Sequence, residues 1–351
     1  MRLLINTSHL NLLSGVSNHY LGLKSFWSYK VTYNSIGSRY GISGIIWLPL
    51  DIIKFVFRCL WIRPDVVLLN PSLGKKAIKR DALYLRISSF LKIKTVVFIH
   101  GWTNEVAMYY DKNPSKFNSM YQKACGFLVL ANDFKQKLRS WGTDAPIYLT
   151  TTKVDDDLLS NFEWKDRPIN SNILFLARVV KEKGVFVLIH AFQILKKTYP
   201  ELQLTIAGDG SALADAKAYV LEKEIKNVRF VGRVSGSLLV KEFLNNSIYV
   251  LPTSHGEGMP TSVLEAMAFG QAIVTTPIGG VKDFFENDTM GYLIDSYNPE
   301  DYSKKISLLI QNPEHLSKVS NFNFNYAKNH FMASKVAKQV EEAIQKMVSK
   351  D

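Results

Sequence analysis

The chain has 351 residues, which exceeds the usual size of one domain and suffices for two, each with its own core. Its hydrophobic content of 47%, with a mean hydropathy near zero and no low-complexity tract, excludes a largely disordered protein. The net charge of +12 is concentrated at the front, because residues 1–110 hold 14 Lys and Arg against four carboxylates. This asymmetry indicates a polyanionic partner, either nucleic acid or an anionic membrane surface.

Cysteine usage and the N-terminus bear on the compartment. Cys59 and Cys125 lie in apolar runs and lack the spacing of zinc ligands, so we expect a reducing environment and no structural zinc. The N-terminal apolar stretch, in MRLLIN, is too short for the core of a signal peptide. The expected location is therefore the cytoplasm, either free or peripheral on the inner face of the cell membrane.

Residues 44–62, GIIWLPLDIIKFVFRCLWI, form an apolar segment that is nearly long enough to cross a bilayer. Pro49 interrupts it, and Asp51, Lys54 and Arg58 recur at spacings that place them on one face of a helix. A spanning helix is therefore disfavoured. A core helix packed on a sheet is the preferred interpretation, and a helix on the membrane surface is the alternative.

Short runs rich in Val, Ile and Leu recur along the chain, separated by stretches of helical character. Because the runs are continuously apolar rather than alternating, they predict parallel strands covered by helices on both faces. Two sets of such strands predict two doubly wound domains. The first set is RLLIN, PDVVLLN, KTVVFIH, GFLVLA and PIYLT, and the second is SNILFLA, LQLTIAG, VRFVG, SIYVLP and AIVTT.

The polar stretch SNFEWKDRPINSN, residues 160–172, separates the two sets and predicts a linker. We therefore predict an N-terminal domain over residues 1–165 and a C-terminal domain over residues 166–332. The tail, residues 333–351, carries apolar residues at a spacing of four, which predicts an amphipathic helix that packs back on the first domain.

Two glutamates, Glu257 and Glu265, are separated by seven residues in HGEGMPTSVLEAMAFG. VLEAMA consists of strong helix formers, and GEGMPTS is typical of a loop that leads into a helix N-terminus. Exposed N–H groups at that terminus suit an anionic pyrophosphate, and the carboxylates suit sugar and ribose hydroxyls. Two glutamates at this spacing are more often solvated surface residues, so the surrounding sequence carries the functional interpretation.

This segment resembles the glutamate-x7-glutamate motif of the family 4, or group 1, retaining glycosyltransferases. The resemblance implies the α/β GT-B fold, with two Rossmann-like doubly wound domains that face each other across a cleft. It also implies that Glu257 contacts the donor hexose and that Glu265 holds the nucleotide ribose. Pro260 stands where many members have glycine. The donor-binding residues implied in this loop are Gly258, Met259, Thr261 and Ser262.

The run SNILFLARVVKEKGVFVLIHAF resembles a second motif of the same family, in which Arg178 and Lys183 occupy the pyrophosphate-binding positions. Two fixed cations can stabilise a departing nucleoside diphosphate without a metal. A basic surface loop is the ordinary interpretation of this run in isolation, and the downstream glutamates favour the binding site. The acidic run of residues 155–157 is interpreted as solvated or capping rather than as a metal-binding DxD motif, so no metal or other cofactor is expected.

The first half of the chain carries weaker matches to the family. NLLSGVSNHYLGL resembles its N-terminal glycine turn, with Gly15 facing the donor phosphates and Ser14 in place of another glycine. His100, at the end of the strand in FIHGWTNEV, matches a family histidine near the donor sugar and is assigned a sugar-positioning or proton-handling role. Glu105 is a candidate carboxylate on the acceptor side.

The resemblance implies transfer of a sugar from a nucleoside-diphosphate sugar to an acceptor hydroxyl, with retention and without a metal. Glu257 and His100 are the predicted catalytic residues, and Glu257 is interpreted as a positioning group rather than a covalent nucleophile. The basic front half favours a lipid-linked saccharide acceptor in surface polysaccharide or lipopolysaccharide assembly. The alternatives are a nucleotide-sugar epimerase or phosphorylase on the same fold, or a nucleic-acid-binding protein, for which no recognised binding module is present.

Overall fold

The computed structural model describes residues 1–12, 14–160 and 162–349, and the chain folds into two compact units. The first unit comprises Met1–Lys153, Gly256–Met259 and the C-terminal segment that begins at Ala333. The second unit comprises Val154–His255 and Pro260–Met332. The polar stretch of residues 160–172 lies inside the second unit.

The first unit is built on a parallel sheet with the spatial strand order β2-β1-β3-β4-β5-β6. The strands are β1 (Arg2–Ser8), β2 (Lys30–Ile36), β3 (Val66–Leu69), β4 (Lys94–Ile99), β5 (Gly126–Val129) and β6 (Ile147–Leu149). Every residue of β3 is fully buried, as expected for a parallel sheet covered on both faces. The direction of the strand order reverses between β1 and β3, which makes this pair the switch point of the sheet.

Six helices of the first unit alternate with these strands. They are α1 (Gly15–Leu23), α2 (Gly44–Ile62), α3 (Lys75–Phe90), α4 (Asn104–Lys112), α5 (Pro114–Tyr121) and α6 (Asn132–Ser140). Pro49 lies inside α2 without ending it, contrary to the expected interruption. None of the helices in the described ranges combines the length and the hydropathy needed to cross a membrane.

The second unit repeats the same architecture, with the strand order β12-β11-β10-β7-β8-β9. The strands are β7 (Ile173–Leu176), β8 (Leu204–Ala207), β9 (Val228–Gly232), β10 (Ile248–Leu251), β11 (Ala272–Thr275) and β12 (Gly291–Leu293). The helices are α7 (Val185–Lys196), α8 (Leu213–Glu222), α9 (Gly236–Leu244), α10 (Thr261–Ala268), α11 (Pro299–Gln311) and α12 (Pro313–His330). The order reverses between β7 and β10, so this pair is the switch point.

The last helix, α13 (Ala333–Val348), belongs to the first unit. Its apolar stripe, which includes Val340, is buried. The carboxylate of Glu341 accepts hydrogen bonds from the backbone N–H groups of Ser28 (2.8 Å) and Tyr29 (3.0 Å). A buried carboxylate with these donors ties the C-terminal helix to the segment that precedes β2.

The predicted fold class, α/β with two doubly wound parallel sheets, is confirmed. All ten predicted strands are present, and two further strands, β2 and β12, were not predicted. Both lie at the edge of a sheet. In β2 apolar residues are interspersed with polar ones, and β12 has only three residues, so neither shows the continuous apolar run of a central strand.

Candidate functional site

Two loops follow the strands at the switch point of the second sheet. One runs from the end of β7 to Gly184, and the other follows β10. The carbonyl oxygen of Glu182 in the first loop accepts hydrogen bonds from the backbone N–H groups of Ser254 (2.8 Å) and His255 (3.2 Å) in the second. Ligands of open parallel sheets bind at this position, so the joined loops form the candidate site of the second unit.

The basic side chains of Arg178, Lys183 and His255 lie in these loops together with Lys181, which is exposed. Burial, and then the charge of Arg178, lower the pKa of Lys183 to about 8, and its side chain is only 8% exposed. Burial, followed by the charges of Lys183 and Arg178, lowers the pKa of His255. Positive charges that lower the pKa of Lys183 and His255 in this way favour a bound anion, because an anion relieves their repulsion. Sequence analysis did not select His255, although it lies two residues before Glu257.

Gly184 determines the course of the loop that carries Lys183. Its φ is 79°, and a Cβ atom at this position would overlap the carbonyl oxygen of Pro252. Glycine is the residue that tolerates both conditions. The short 3₁₀ helix Lys181–Lys183 therefore passes directly into α7, with the Lys183 ammonium held in the buried part of the loop.

Helix α10 begins at Thr261, directly after the second loop. Pro260 holds its N-cap position, and none of the side chains in the described ranges caps it. The first N–H groups of a helix have no carbonyl partner within the helix, and the positive end of the helix dipole lies there. This terminus can therefore receive phosphate oxygens.

Tyr249 in β10 connects this helix to the end of β7, and sequence analysis missed it. Its hydroxyl lies 3.0 Å from the carbonyl oxygen of Leu176 and 2.7 Å from Oγ of Ser262. Burial raises the pKa of Tyr249, the Ser262 hydrogen bond opposes this, and the Glu265 carboxylate raises it further. Ser262 and Glu265 are three residues apart and share one face of α10. In the run SIYVLP the tyrosine has the pattern of an ordinary core residue.

In the first unit, His100 follows β4 and is held in a buried polar network. Its Nε2 lies 3.0 Å from Oδ1 of Asn70, which also accepts a hydrogen bond from the Tyr20 hydroxyl. The ring of His19 packs edge-on against His100, with 5.1 Å between the centroids. Burial and then His19 lower the pKa of His100 well below its usual value. The imidazole of His100 is therefore neutral at physiological pH.

The hydrogen bonds of Asn70 determine which nitrogen of His100 carries the proton. Nδ2 of Asn70 donates to the carbonyl oxygens of Asn6 (3.1 Å) and Leu68 (3.2 Å), so Oδ1 is the acceptor that faces the histidine. Nε2 of His100 must then donate, and Nδ1 carries the lone pair. A neutral imidazole in this tautomer can accept a hydrogen bond from a hydroxyl through Nδ1.

The loop Gly256–Met259, which contains Glu257, packs against the segment after β4. A Cβ atom at Gly258 would overlap the carbonyl oxygen of His100 and come within 2.7 Å of Cδ1 of Leu130. The carbonyl oxygen of Met259 accepts a hydrogen bond from Oγ1 of Thr152 (3.4 Å). The glycine before Met259 is therefore required for this close backbone approach.

The predicted site residues fall into both units. The first unit holds Gly15, His100, Glu257, Gly258 and Met259. The second unit holds Arg178, Lys183, Thr261, Ser262 and Glu265.

Three other sequence candidates lie in different surroundings. Gly15 begins α1, and a Cβ atom there would have no heavy atom of the described residues within 4 Å, so folding does not require glycine at this position. The Glu105 side chain is 68% exposed and pairs with Lys75. The acidic run begins the 3₁₀ helix Asp156–Leu159, with Asp155 at its N-cap position.

A family model described as Glycosyl transferases group 1 matches residues 163–326. We refer to the matched residues 163–326 as the group 1 domain. This group 1 domain includes both loops at the switch point of the second sheet, α10 and both glutamates. Gly15 and His100 lie outside the match.

Two relatives show how far the sequence similarity extends. An uncharacterized glycosyltransferase of Haemophilus influenzae is 37% identical over 147 residues, which cover 41% of this chain and 41% of the relative. A capsular polysaccharide biosynthesis glycosyltransferase of Staphylococcus aureus is 24% identical over 215 residues, covering 60% of this chain and 56% of the relative. The chain thus matches less than two thirds of the length of either protein.

A solved structure extends the fold comparison to almost the whole chain. The crystal structure of HepE from Anabaena in complex with UDP and glucose is similar, with a TM-score of 0.74 and 14% identity. The similarity covers 98% of this chain and 99% of HepE. At this identity the comparison establishes the fold alone, and it confirms the GT-B fold class.

Proposed function

We propose that the protein is a glycosyltransferase that moves a sugar from a nucleoside-diphosphate sugar to an acceptor hydroxyl. The observation that carries this proposal is the arrangement at the switch point of the group 1 domain. The cations Arg178 and Lys183 lie in one loop there, and the N-terminus of α10, without a side-chain cap among the described residues, follows the other loop. The arrangement suits a diphosphate, and Glu265 within α10 suits an adjacent ribose.

In this proposal, the charge of each donor-binding residue determines which part of the donor it contacts. Arg178 and Lys183 neutralise the diphosphate, and the N–H groups at Thr261 and Ser262 bind its oxygens. Glu265 accepts hydrogen bonds from the ribose hydroxyls, and Glu257 accepts them from the hexose. Tyr249 acts through Ser262, whose hydroxyl it holds. Gly258 and Met259 are proposed to contact the sugar through their backbone groups rather than through side chains.

The transfer step is proposed to proceed with retention and without a metal. The bond between the anomeric carbon and the departing phosphate oxygen breaks, and the acceptor oxygen forms its bond on the same face of the sugar. The acceptor proton passes to the departing phosphate, so no nucleophile of the protein is needed. Arg178 and Lys183 stabilise the negative charge that develops on the diphosphate.

His100 is proposed to position the sugar rather than to carry a proton. Its imidazole is neutral and its Nε2 proton is engaged by Asn70. Nδ1 is therefore available as an acceptor for a sugar hydroxyl. Of the two roles that the sequence suggested for His100, this geometry favours the positioning role.

The acceptor is proposed to be a lipid-linked saccharide of surface polysaccharide assembly, at the inner face of the cell membrane. The name of the Staphylococcus aureus relative, which refers to capsular polysaccharide biosynthesis, supports this class. The basic front half of the chain supports an acceptor carried in an anionic membrane.

Product analysis tests this function against the two other activities that the fold can carry. The full chain is incubated with a panel of nucleoside-diphosphate sugars, with and without a saccharide acceptor and with EDTA in a parallel set. We expect release of nucleoside diphosphate that depends on acceptor, an unchanged rate in EDTA, and a product with the anomeric configuration of the donor. An epimerised donor without acceptor, or sugar 1-phosphate formed with inorganic phosphate, would assign an epimerase or a phosphorylase instead.

A further inference from the structure

Helix α2 has an unusual orientation, because its charged face is directed inward. The Asp51 carboxylate is buried, pairs with Arg39 at 2.8 Å and accepts a hydrogen bond from the backbone N–H of Gly37 at 2.9 Å. The Arg58 guanidinium donates to the carbonyl oxygen of Tyr33 in β2. A surface helix normally turns its charged residues toward water and its apolar stripe toward the core.

The opposite face of α2 is apolar and exposed. Seven of its large apolar side chains are each at least 56% exposed, and Trp61 reaches 79%. They are Ile45, Ile46, Leu50, Ile53, Phe57, Leu60 and Trp61. We name these seven residues the α2 face. Among the apolar residues of α2, only Phe55 and Cys59 are buried. The preferred interpretation as a core helix therefore holds for one side of the helix only.

Helix α3 lies beside α2 and adds positive charge. Its exposed stripe consists of Lys76, Lys79, Leu83, Arg86 and Phe90. We name this set the α3 stripe. The two helices border a groove of about 530 Å³ between their N-terminal halves. Its lining includes Ile45 and Leu48 of α2 together with Lys76, Lys79 and Leu83 of α3.

The sequence around these helices contains almost no negative charge to oppose the basic groups. Residues 37–92 hold ten Lys and Arg, against Asp51, Asp65 and Asp81. Asp51 and Asp81 are buried in pairs with Arg39 and Arg80. The surface is therefore apolar and cationic at once, which is unlike the apolar core of an ordinary protein interface, where charged residues are depleted.

We propose that the α2 face and the α3 stripe dock on an anionic phospholipid bilayer. The apolar side chains of α2 lie at the boundary between headgroups and acyl chains, as in an interfacial helix. Trp61 and the 85% exposed Phe90 are aromatic anchors at the ends of their helices. The lysines of the α3 stripe contact the phosphate groups of anionic lipids. This proposal does not rest on the transfer reaction, because a bilayer without donor or acceptor suffices.

Vesicle co-sedimentation of the full chain tests the docking. The vesicles are phosphatidylcholine alone, or phosphatidylcholine with roughly 30% phosphatidylglycerol, at about 0.1 M and about 1 M salt. We expect the protein to pellet with the anionic vesicles at low salt, less at high salt, and still less with neutral vesicles.

Paired variants locate the contact. Phe57→Ser with Trp61→Ser is expected to weaken binding to anionic vesicles about tenfold or more. Lys76→Ala with Lys79→Ala is expected to weaken it roughly 30-fold and to remove most of the preference for anionic lipid. The matched controls replace exposed residues of the second unit, Leu221→Ser with Leu238→Ser and Lys226→Ala with Lys304→Ala. These controls are expected to bind as the wild type does. All four variants change exposed side chains, and their melting temperatures verify folding.

Three results would overturn the proposal. The wild type stays in the supernatant with anionic vesicles at low salt, or the control pairs weaken binding as much as the α2 and α3 pairs. Alternatively, light scattering shows a dimer that Phe57→Ser with Trp61→Ser converts to a monomer, without vesicle binding by the wild type. That last result would assign the α2 face to a second copy of the chain.

Discussion

Replacing Lys183 by methionine is expected to lower the rate of sugar transfer by about 10² to 10³ while leaving the fold intact. Methionine keeps most of the buried apolar stem and removes the charge that is proposed to face the departing diphosphate. Burial lowers the pKa of Lys183 to about 8, which shows that the charged form is costly to bury. The melting temperature should therefore stay unchanged or rise. The matched control is Lys181→Met, two residues earlier and exposed, which should transfer at nearly the wild-type rate.

The pH dependence of donor binding separates this role from a structural one. The pKa of Lys183 is lowered from its ordinary value to about 8. The Lys183 side chain is therefore positively charged below pH 8, and it loses this charge as the pH rises through that value. Donor affinity of the wild type should fall above pH 8, by up to about tenfold per pH unit, and that of Lys183→Met should stay flat over the same range. Equal profiles for the two proteins would contradict a diphosphate contact by Lys183.

Replacing Arg167 by methionine is expected to destabilise the second unit by about 3 kcal/mol. The buried guanidinium donates to the carbonyl oxygens of Phe269, Asn246 (2.5 Å) and Phe243 (3.4 Å), so it joins the C-terminus of α10 to the segment before β10. Burial lowers the pKa of Arg167 to about 10, and relief of that cost offsets part of the loss. The melting temperature should fall by roughly 6 to 12 °C.

Two further variants show whether the bridging geometry matters. Arg167→Lys keeps the charge but cannot reach several carbonyls in one plane, so it should melt between the wild type and Arg167→Met. The control, Arg233→Met, changes an exposed arginine of the same unit and should shift stability by less than about 0.5 kcal/mol. If Arg167→Met melts at the wild-type temperature, the buried arginine does not hold these segments together.

The burial of Arg167 and its hydrogen-bond partners could not be predicted from the sequence. It belongs to the polar stretch SNFEWKDRPINSN, which predicted a linker, yet its side chain is only 6% exposed. Its three acceptors lie 76 to 102 residues further along the chain and are all backbone carbonyls. Because every residue has a backbone carbonyl, the sequence does not indicate which residues accept these hydrogen bonds.

The strands were predictable where the physical signal was local. Central strands of a parallel sheet are buried on both faces, so their residues are apolar without alternation, as in β3 and β10. The edge strands β2 and β12 lack that signal. Arg178, Lys183 and Glu265 were selected as candidates because they lie in motifs with fixed spacing. Tyr249 and His255 were not selected, because only their contacts and nearby charges in the structure place them beside these candidates.

The sequence also does not determine which face of helix α2 is turned inward. The spacing of Asp51, Lys54 and Arg58 correctly predicts that they share one face of a helix. Periodicity alone cannot say which face is turned inward. Arg39 lies outside the helix and pairs with Asp51, and Arg58 donates to the backbone of β2, so the inward direction of the charged face is determined by partners outside the segment.

A thermal-shift titration with nucleoside diphosphates and nucleoside-diphosphate sugars tests the donor site most directly. A ligand that binds only the folded protein stabilises it by about 2.7 kcal/mol at a concentration 100 times its Kd. At least one member of the panel should raise the melting temperature of the wild type, with a smaller rise for Lys183→Met and for Glu265→Ala and an unchanged rise for Lys181→Met. If no nucleotide or nucleotide sugar shifts the wild type, or if Lys183→Met and Glu265→Ala respond as the wild type does, the switch point of the group 1 domain is not a donor site.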